Sequence, residues 1–133
     1  MSRAAATRRA RAALAIPLLL GCAASRRQLD SPPVLERLVP DSVFVAPGGV
    51  VEVTLVGTGF HDGTPGENTV MFGRATMRHV AASGDGRRIV FVVPDVIESG
   101  GEAPQSRLLT GTYPVQVETA MGRSNILMLR VFR

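Results

Sequence analysis

The sequence is poor in the residues that most often carry chemistry. Its 133 residues include one Cys (Cys22), one Tyr, no Trp and two His (His61 and His79). A single Cys excludes an intrachain disulfide and any site built from several thiolates. Lys is absent, so all 15 basic residues are Arg, against 11 acidic ones. The formal charge of +4 belongs to the first residues: Arg3, Arg8, Arg9 and Arg11 precede any acid, and the remaining 11 basic groups face 11 acidic ones. A neutral remainder lacks the basic surface that nucleic acid requires, so no nucleic-acid partner is expected. There is no G-x-S-x-G, no Gly-rich loop opening a helix, and no Ser, His and acid in a context that suggests a triad. No catalytic residue, cofactor or metal is expected. The longest apolar run covers 12–20, far short of the ~20 residues that span a bilayer as a helix.

What is present begins with a three-part leader. A basic stretch from Arg3 to Arg11 is followed by that apolar run and then by Leu19-Leu20-Gly21-Cys22. A basic segment, a short apolar segment and a small residue make a secretory signal. The small residue followed by the only Cys resembles the lipobox of bacterial lipoproteins. The resemblance implies removal of a leader at 1–21, lipidation of Cys22, and a small, polar tether at 22–33. It implies export and a membrane partner reached through acyl chains, which hold a protein stably when two or three are present. By the sorting habit of the family it resembles, Ala23 in place of Asp implies the outer membrane if the cell is Gram-negative.

From Pro33 onward the pattern is one of short alternating runs cut by Gly and Pro. Val51, Val53 and Leu55 share one face, with Glu52 and Thr54 on the other. The same period of two groups Val70 with Phe72, then Ile89, Phe91 and Val93, then Tyr113, Val115 and Val117, and lastly Leu127, Leu129 and Val131. Two weaker runs lie at 34–39 and 77–80. About seven strands separated by turn signals predict an all-β, antiparallel sandwich.

The order of these pieces resembles the IPT/TIG family of immunoglobulin-like domains over 34–133. The matching residues are Val45-Ala46-Pro47-Gly48-Gly49, Val53 to Phe60 with Gly57-Thr58-Gly59, Asn68 to Gly73, Ile89 to Pro94, Gly111 to Val117, and Gly122-Arg123-Ser124-Asn125. The resemblance implies a sharp turn at Gly57 and Gly59 that returns Phe60 to the core, and a structural hydrogen-bonding role for Asn125. It implies a binding or spacer module in the cell envelope rather than an enzyme. Its partner would be a protein or a surface polysaccharide; the alternative is an accessory subunit of an envelope complex or a glycan-binding module. The sequence departs from the family at 95–110, which is longer than usual; Leu108 and Leu109 are expected to pack back on the core edge.

Candidate interaction residues lie on the loops: His61, Asp62, Glu67, Glu98, Glu102 and Arg107. His61, Asp62 and Glu67 are too few, on too mobile a loop, to be read as a metal site. Arg74, Arg78, Arg87 and Arg88 are the densest charges and read either as a solvated rim or as a patch for anionic headgroups. Val56, Val90, Val92, Ile126, Met128 and Phe132 fall out of phase with the core positions. Val90, Val92, Ile126 and Met128 make one exposed apolar contact face if their strands are neighbours, and a covered second cluster otherwise.

Overall fold

The computed structural model describes residues 31–62, 68–97, 101–102 and 104–133. The leader, Cys22, Glu67 and Glu98 lie outside the described residues. The described chain is all β. Its strands are β1 (Val34–Val39), β2 (Ser42–Phe44), β3 (Val51–Thr58), β4 (Asn68–Phe72), β5 (Ala75–Val80), β6 (Arg88–Val93), β7 (Val96–Ile97), β8 (Ser106–Arg107), β9 (Gly111–Thr119), β10 (Gly122–Arg123) and β11 (Leu127–Phe132).

Two sheets pack as a sandwich. One has the order β1-β3-β6; the other runs β2-β11-β9-β4-β5, with β10 pairing β9. The expected alternation is visible as burial: β4, β6 and β11 bury every second residue. That is the pattern a strand shows when one face meets a core and the other meets water. Val53, Leu55, Ile89, Phe91 and Val93 line one side of the core, and Val70, Phe72, Val115, Val117, Leu129 and Val131 line the other. Phe72 sits at the centre. Its ring centroid is 6.1 Å from that of Phe91 and 5.1 Å from that of Tyr113, both tilted, within the range favoured by aromatic pairs.

Two features differ from the expectation. The pairing is not wholly antiparallel, because β2 runs parallel to β11, with Ser42, Val43 and Phe44 opposite Arg130, Val131 and Phe132. The chain leaves β1 in one sheet and crosses to the other through Pro40 and Asp41. Three residues are too few to show a period, which is why β2 is invisible in the sequence.

The second difference is Gly57. It makes no turn; it lies inside β3 and is paired with Leu35. A Cβ there would stand 2.0 Å from the Val34 carbonyl oxygen. The glycine is needed because β1 bulges between Leu35 and Arg37, and this brings the two backbones close. The turn belongs to Gly59, at φ +76°, and Phe60 behind it is fully buried. Asn125 takes the expected hydrogen-bonding role. Its amide accepts from the Leu35 N–H (2.8 Å) and donates to the Leu35 carbonyl (2.9 Å), so one side chain serves both polar groups of a β1 residue as a neighbouring strand would.

The excursion at 95–110 carries the small β7–β8 ribbon, with Val96 opposite Arg107. The expectation for its two leucines holds for one. Leu108 is fully buried, while Leu109 is 69% exposed. The Tyr113 hydroxyl explains the split. It donates to the Leu109 carbonyl (2.8 Å) and accepts from the Leu109 N–H (3.2 Å), fixing the backbone so that residue 108 alone points inward.

Candidate functional site

The loop residues do not converge. His61 is half-buried, and its backbone is held by Asn68: the His61 N–H donates to Asn68 Oδ1 (2.8 Å), and Asn68 Nδ2 donates to the His61 carbonyl (2.7 Å). Asp62 bridges to Ala82. Glu102 and Arg107 are exposed on the 95–110 excursion. Among the described residues, no group of three His, Cys, Asp or Glu side chains could hold a metal ion. The four arginines sit on different elements. Arg74 sits in the turn before β5 and Arg78 is on β5, whereas Arg88 is on β6 in the opposite sheet and Arg87 pairs with Glu36 at 3.9 Å.

The apolar residues are exposed, yet they are divided. Val90 and Val92 lie on β6, and Met128 lies on β11 with Ile126 just before it. These strands belong to different sheets, so a sandwich turns their outward faces to opposite sides. Alternation tells which phase of a strand faces out; it does not tell which sheet the strand joins. On the β1-β3-β6 side, Val90 pairs with Thr54, which pairs with Val39, and Val92 pairs with Glu52. The apolar positions there are diluted by polar ones.

The other side is richer. Phe44 and Phe132 are register partners across β2 and β11, with Val43 and Val131 buried beside them. Both rings therefore point outward from adjacent strands, and they are 65% and 49% exposed. The next row is polar, with Ser42, Arg130 and Thr112 in register. The row after that is apolar again, with Met128 opposite Pro114. Ile126, just before the start of the same strand, is 54% exposed. Phe44 has no counterpart in the sequence reading because β2 itself is too short to detect.

Farther along this face, β4, β5, β9 and β10 form a polar groove of about 380 Å³, lined by Thr69, Met71, Thr76, Arg78, His79, Glu118 and Arg123. Arg123 Nε donates to the Glu118 carboxylate at 2.5 Å. The register shifts on β5, where Asn68 faces Val80 but Val70 faces Met77. Arg78 and His79 together oppose one residue, Thr69. This is a β-bulge, and His79 adopts φ +61° within it. A signal for it exists in the sequence: Met77 and Val80 both pack on the core although they are three apart, a slip in the period of two.

Comparison with known proteins adds no relative. No protein-family model, no curated protein and no solved structure matches the chain. The class defined by the fold is an all-β domain of two packed sheets.

Proposed function

We propose that this protein is a lipid-anchored, non-enzymatic binding module of the bacterial cell envelope, with an immunoglobulin-like domain of the IPT/TIG type. The observation that carries the binding reading is the pair of exposed rings, Phe44 and Phe132, flanked on the same face by Met128 and Ile126. Large apolar side chains held outward by a rigid ladder lose little entropy when covered, and such rows mark contacts with other proteins. The sheet order supports the immunoglobulin-like reading. Three strands pack on a larger mixed sheet, and the first part of the chain contributes a strand to each, as in sandwiches with Greek-key connections. The anchor is supported by the sequence of the leader and by Cys22.

Two measurements test this. Mass spectrometry of the mature N-terminus is expected to find Cys22 as the first residue, carrying a thioether-linked diacylglycerol; an intact leader or an unmodified thiol contradicts the anchor. Co-purification from solubilised membranes is expected to recover a partner with the wild-type chain and to lose it with Phe44→Ser/Phe132→Ser. Recovery of the same partner by that variant contradicts the binding face.

A second reading follows from the same two rings. Adjacent exposed aromatic rings can also stack on sugar rings, so a surface polysaccharide is the alternative partner. A glycan array distinguishes them: saturable binding that is lost in the double variant favours the polysaccharide.

A further inference from the structure

The groove on the outer face of the larger sheet has a composition that the apolar rows do not explain. In a regular strand, consecutive side chains point to opposite faces. The bulge in β5 suspends that rule. It keeps Met77 and Val80 on the core and sends both Arg78 and His79 outward. His79 holds φ +61° to do so, a region that residues other than glycine seldom occupy and that is found where structure around it enforces it. The result is one row across four strands: Arg78 and His79 on β5, Thr69 on β4, Glu118 on β9 and Arg123 on β10. Thr76 lies one row along, opposite Met71.

The charges in this row are unbalanced. Two guanidinium groups face one carboxylate, and that carboxylate is already engaged by Arg123. Arg78 and His79 make no side-chain hydrogen bond or ion pair among the described residues, and neither do the hydroxyls of Thr69 and Thr76. One cation and three further polar groups are thus left facing a concave surface.

We propose that this groove binds a phosphate group. Arg78 supplies the charge and a planar pair of donors, and Thr69, Thr76 and the His79 imidazole add hydrogen bonds from the two neighbouring strands. Donors that approach from several directions suit a tetrahedral group with three or four oxygens better than a planar carboxylate with two. Glu118 does not repel the ligand strongly, because Arg123 neutralises it. The phosphate can belong to a soluble ester or to a lipid headgroup; the chemistry recognised is the same. The site shares no residue with the apolar rows and needs no anchor, so it stands or falls separately from the proposed function.

The test is a titration of the isotope-labelled full chain, followed by amide and side-chain NMR at constant ionic strength. One arm uses inorganic phosphate. The other uses dihexanoyl phosphatidylglycerol below its micelle concentration. Saturable shifts with inorganic phosphate are expected at Thr69, Thr76, Arg78, His79, Glu118 and Arg123, with affinity on the order of millimolar for so open a site. Arg78→Gln is expected to weaken the affinity at least about fivefold, and His79→Asn, which tolerates the same backbone conformation, about twofold to threefold. Arg37→Gln removes an exposed charge on β1, in the other sheet and outside the groove, and is expected to leave it unchanged. If the lipid competes with phosphate for these residues, the source is a headgroup; if phosphate binds and the lipid does not, the source is a soluble ester. Absence of saturable shifts in both arms, shifts with the lipid alone, or an equal loss in Arg37→Gln would overturn the proposal.

Discussion

Asp95 and Arg133 form an ion pair that joins the start of the 95–110 excursion to the last residue of the chain. The pair is mostly shielded, with side-chain exposures of 26% and 17%. Arg133 does more than neutralise a charge. Its Nη1 donates to the Leu108 carbonyl (2.9 Å), and its backbone N–H donates to Thr110 Oγ1 (3.0 Å). The Leu108 N–H in turn donates to the Asp95 carbonyl (2.8 Å). The excursion is therefore closed at its base by one arginine, and the buried Leu108 is its apolar plug. Arg133→Ala is expected to cost about 1–3 kcal/mol, the scale of hydrogen bonds to a charged group. Urea denaturation checks the size, and hydrogen exchange is expected to show faster exchange at the Leu108 amide than at β3 or β9. An unchanged Leu108 amide would show that the arginine does not close the excursion.

Asn68 is fully buried, and it satisfies three backbone groups: the His61 N–H, the His61 carbonyl and the Val80 carbonyl. It pins the chain entering the 62–68 segment to the end of β5. Asn68→Ala leaves all three without that partner, and a loss of about 2–4 kcal/mol is expected. Asn68→Asp is expected to fare no better, because a carboxylate cannot donate to the two carbonyls. Thermal unfolding of both variants measures this. A variant within about 0.5 kcal/mol of wild type would contradict the role.

His79 tests whether the bulge is enforced. The left-handed region costs a side chain with a branched β-carbon roughly 1–2 kcal/mol, and costs glycine nothing. His79→Val is therefore expected to be less stable than His79→Gly by about that amount, and His79→Gly to be at least as stable as wild type. Chemical denaturation of the pair reads the difference. Equal stabilities would mean that the backbone at residue 79 relaxes to an ordinary strand.

Asp85 gives the pH dependence. The Ser83 hydroxyl donates to its carboxylate at 2.5 Å and the Arg87 N–H at 3.1 Å, and these bonds hold its pKa below the usual carboxylate value, the Ser83 bond being the larger cause. A depressed value means that the folded turn favours the ionised form. The contribution is fully present above the unfolded value of about 3.9 and is lost as pH falls through the lower, folded one. The group is fully exposed, so the effect stays local to the turn. An NMR titration is expected to give a midpoint for Asp85 below the ordinary value, with the amides of 83–88 shifting in step and Asp85→Asn removing that transition. A midpoint at or above the ordinary value would contradict the hydrogen-bond pattern.

Much of the fold is legible in the residues themselves. β3, β4, β6, β9 and β11 each alternate over five or more residues, so their inward sets can be read directly. β2, β7, β8 and β10 are two or three residues long, and no period exists at that length. Gly57 could be recognised as special, but its reason lies in β1, whose bulge no local pattern announces. The candidate site was less legible still. Ile126, Met128 and Phe132 were visible as outward residues, whereas the separation of the first two from Val90 and Val92 depends on sheet membership, a long-range fact. Asn68 and Arg133 act through partners far along the chain or on its backbone, and nothing in their immediate neighbours marks them.

The most direct measurement of the binding account is photo-crosslinking in cells that make the protein. A photoreactive phenylalanine analogue is placed at Phe44 in one chain and at Val90, on the opposite sheet, in another. The account predicts a discrete adduct of defined mass from position 44 and none from position 90. Adducts from position 90 alone, or none from either, would contradict the claim that the face bearing Phe44 and Phe132 meets the partner.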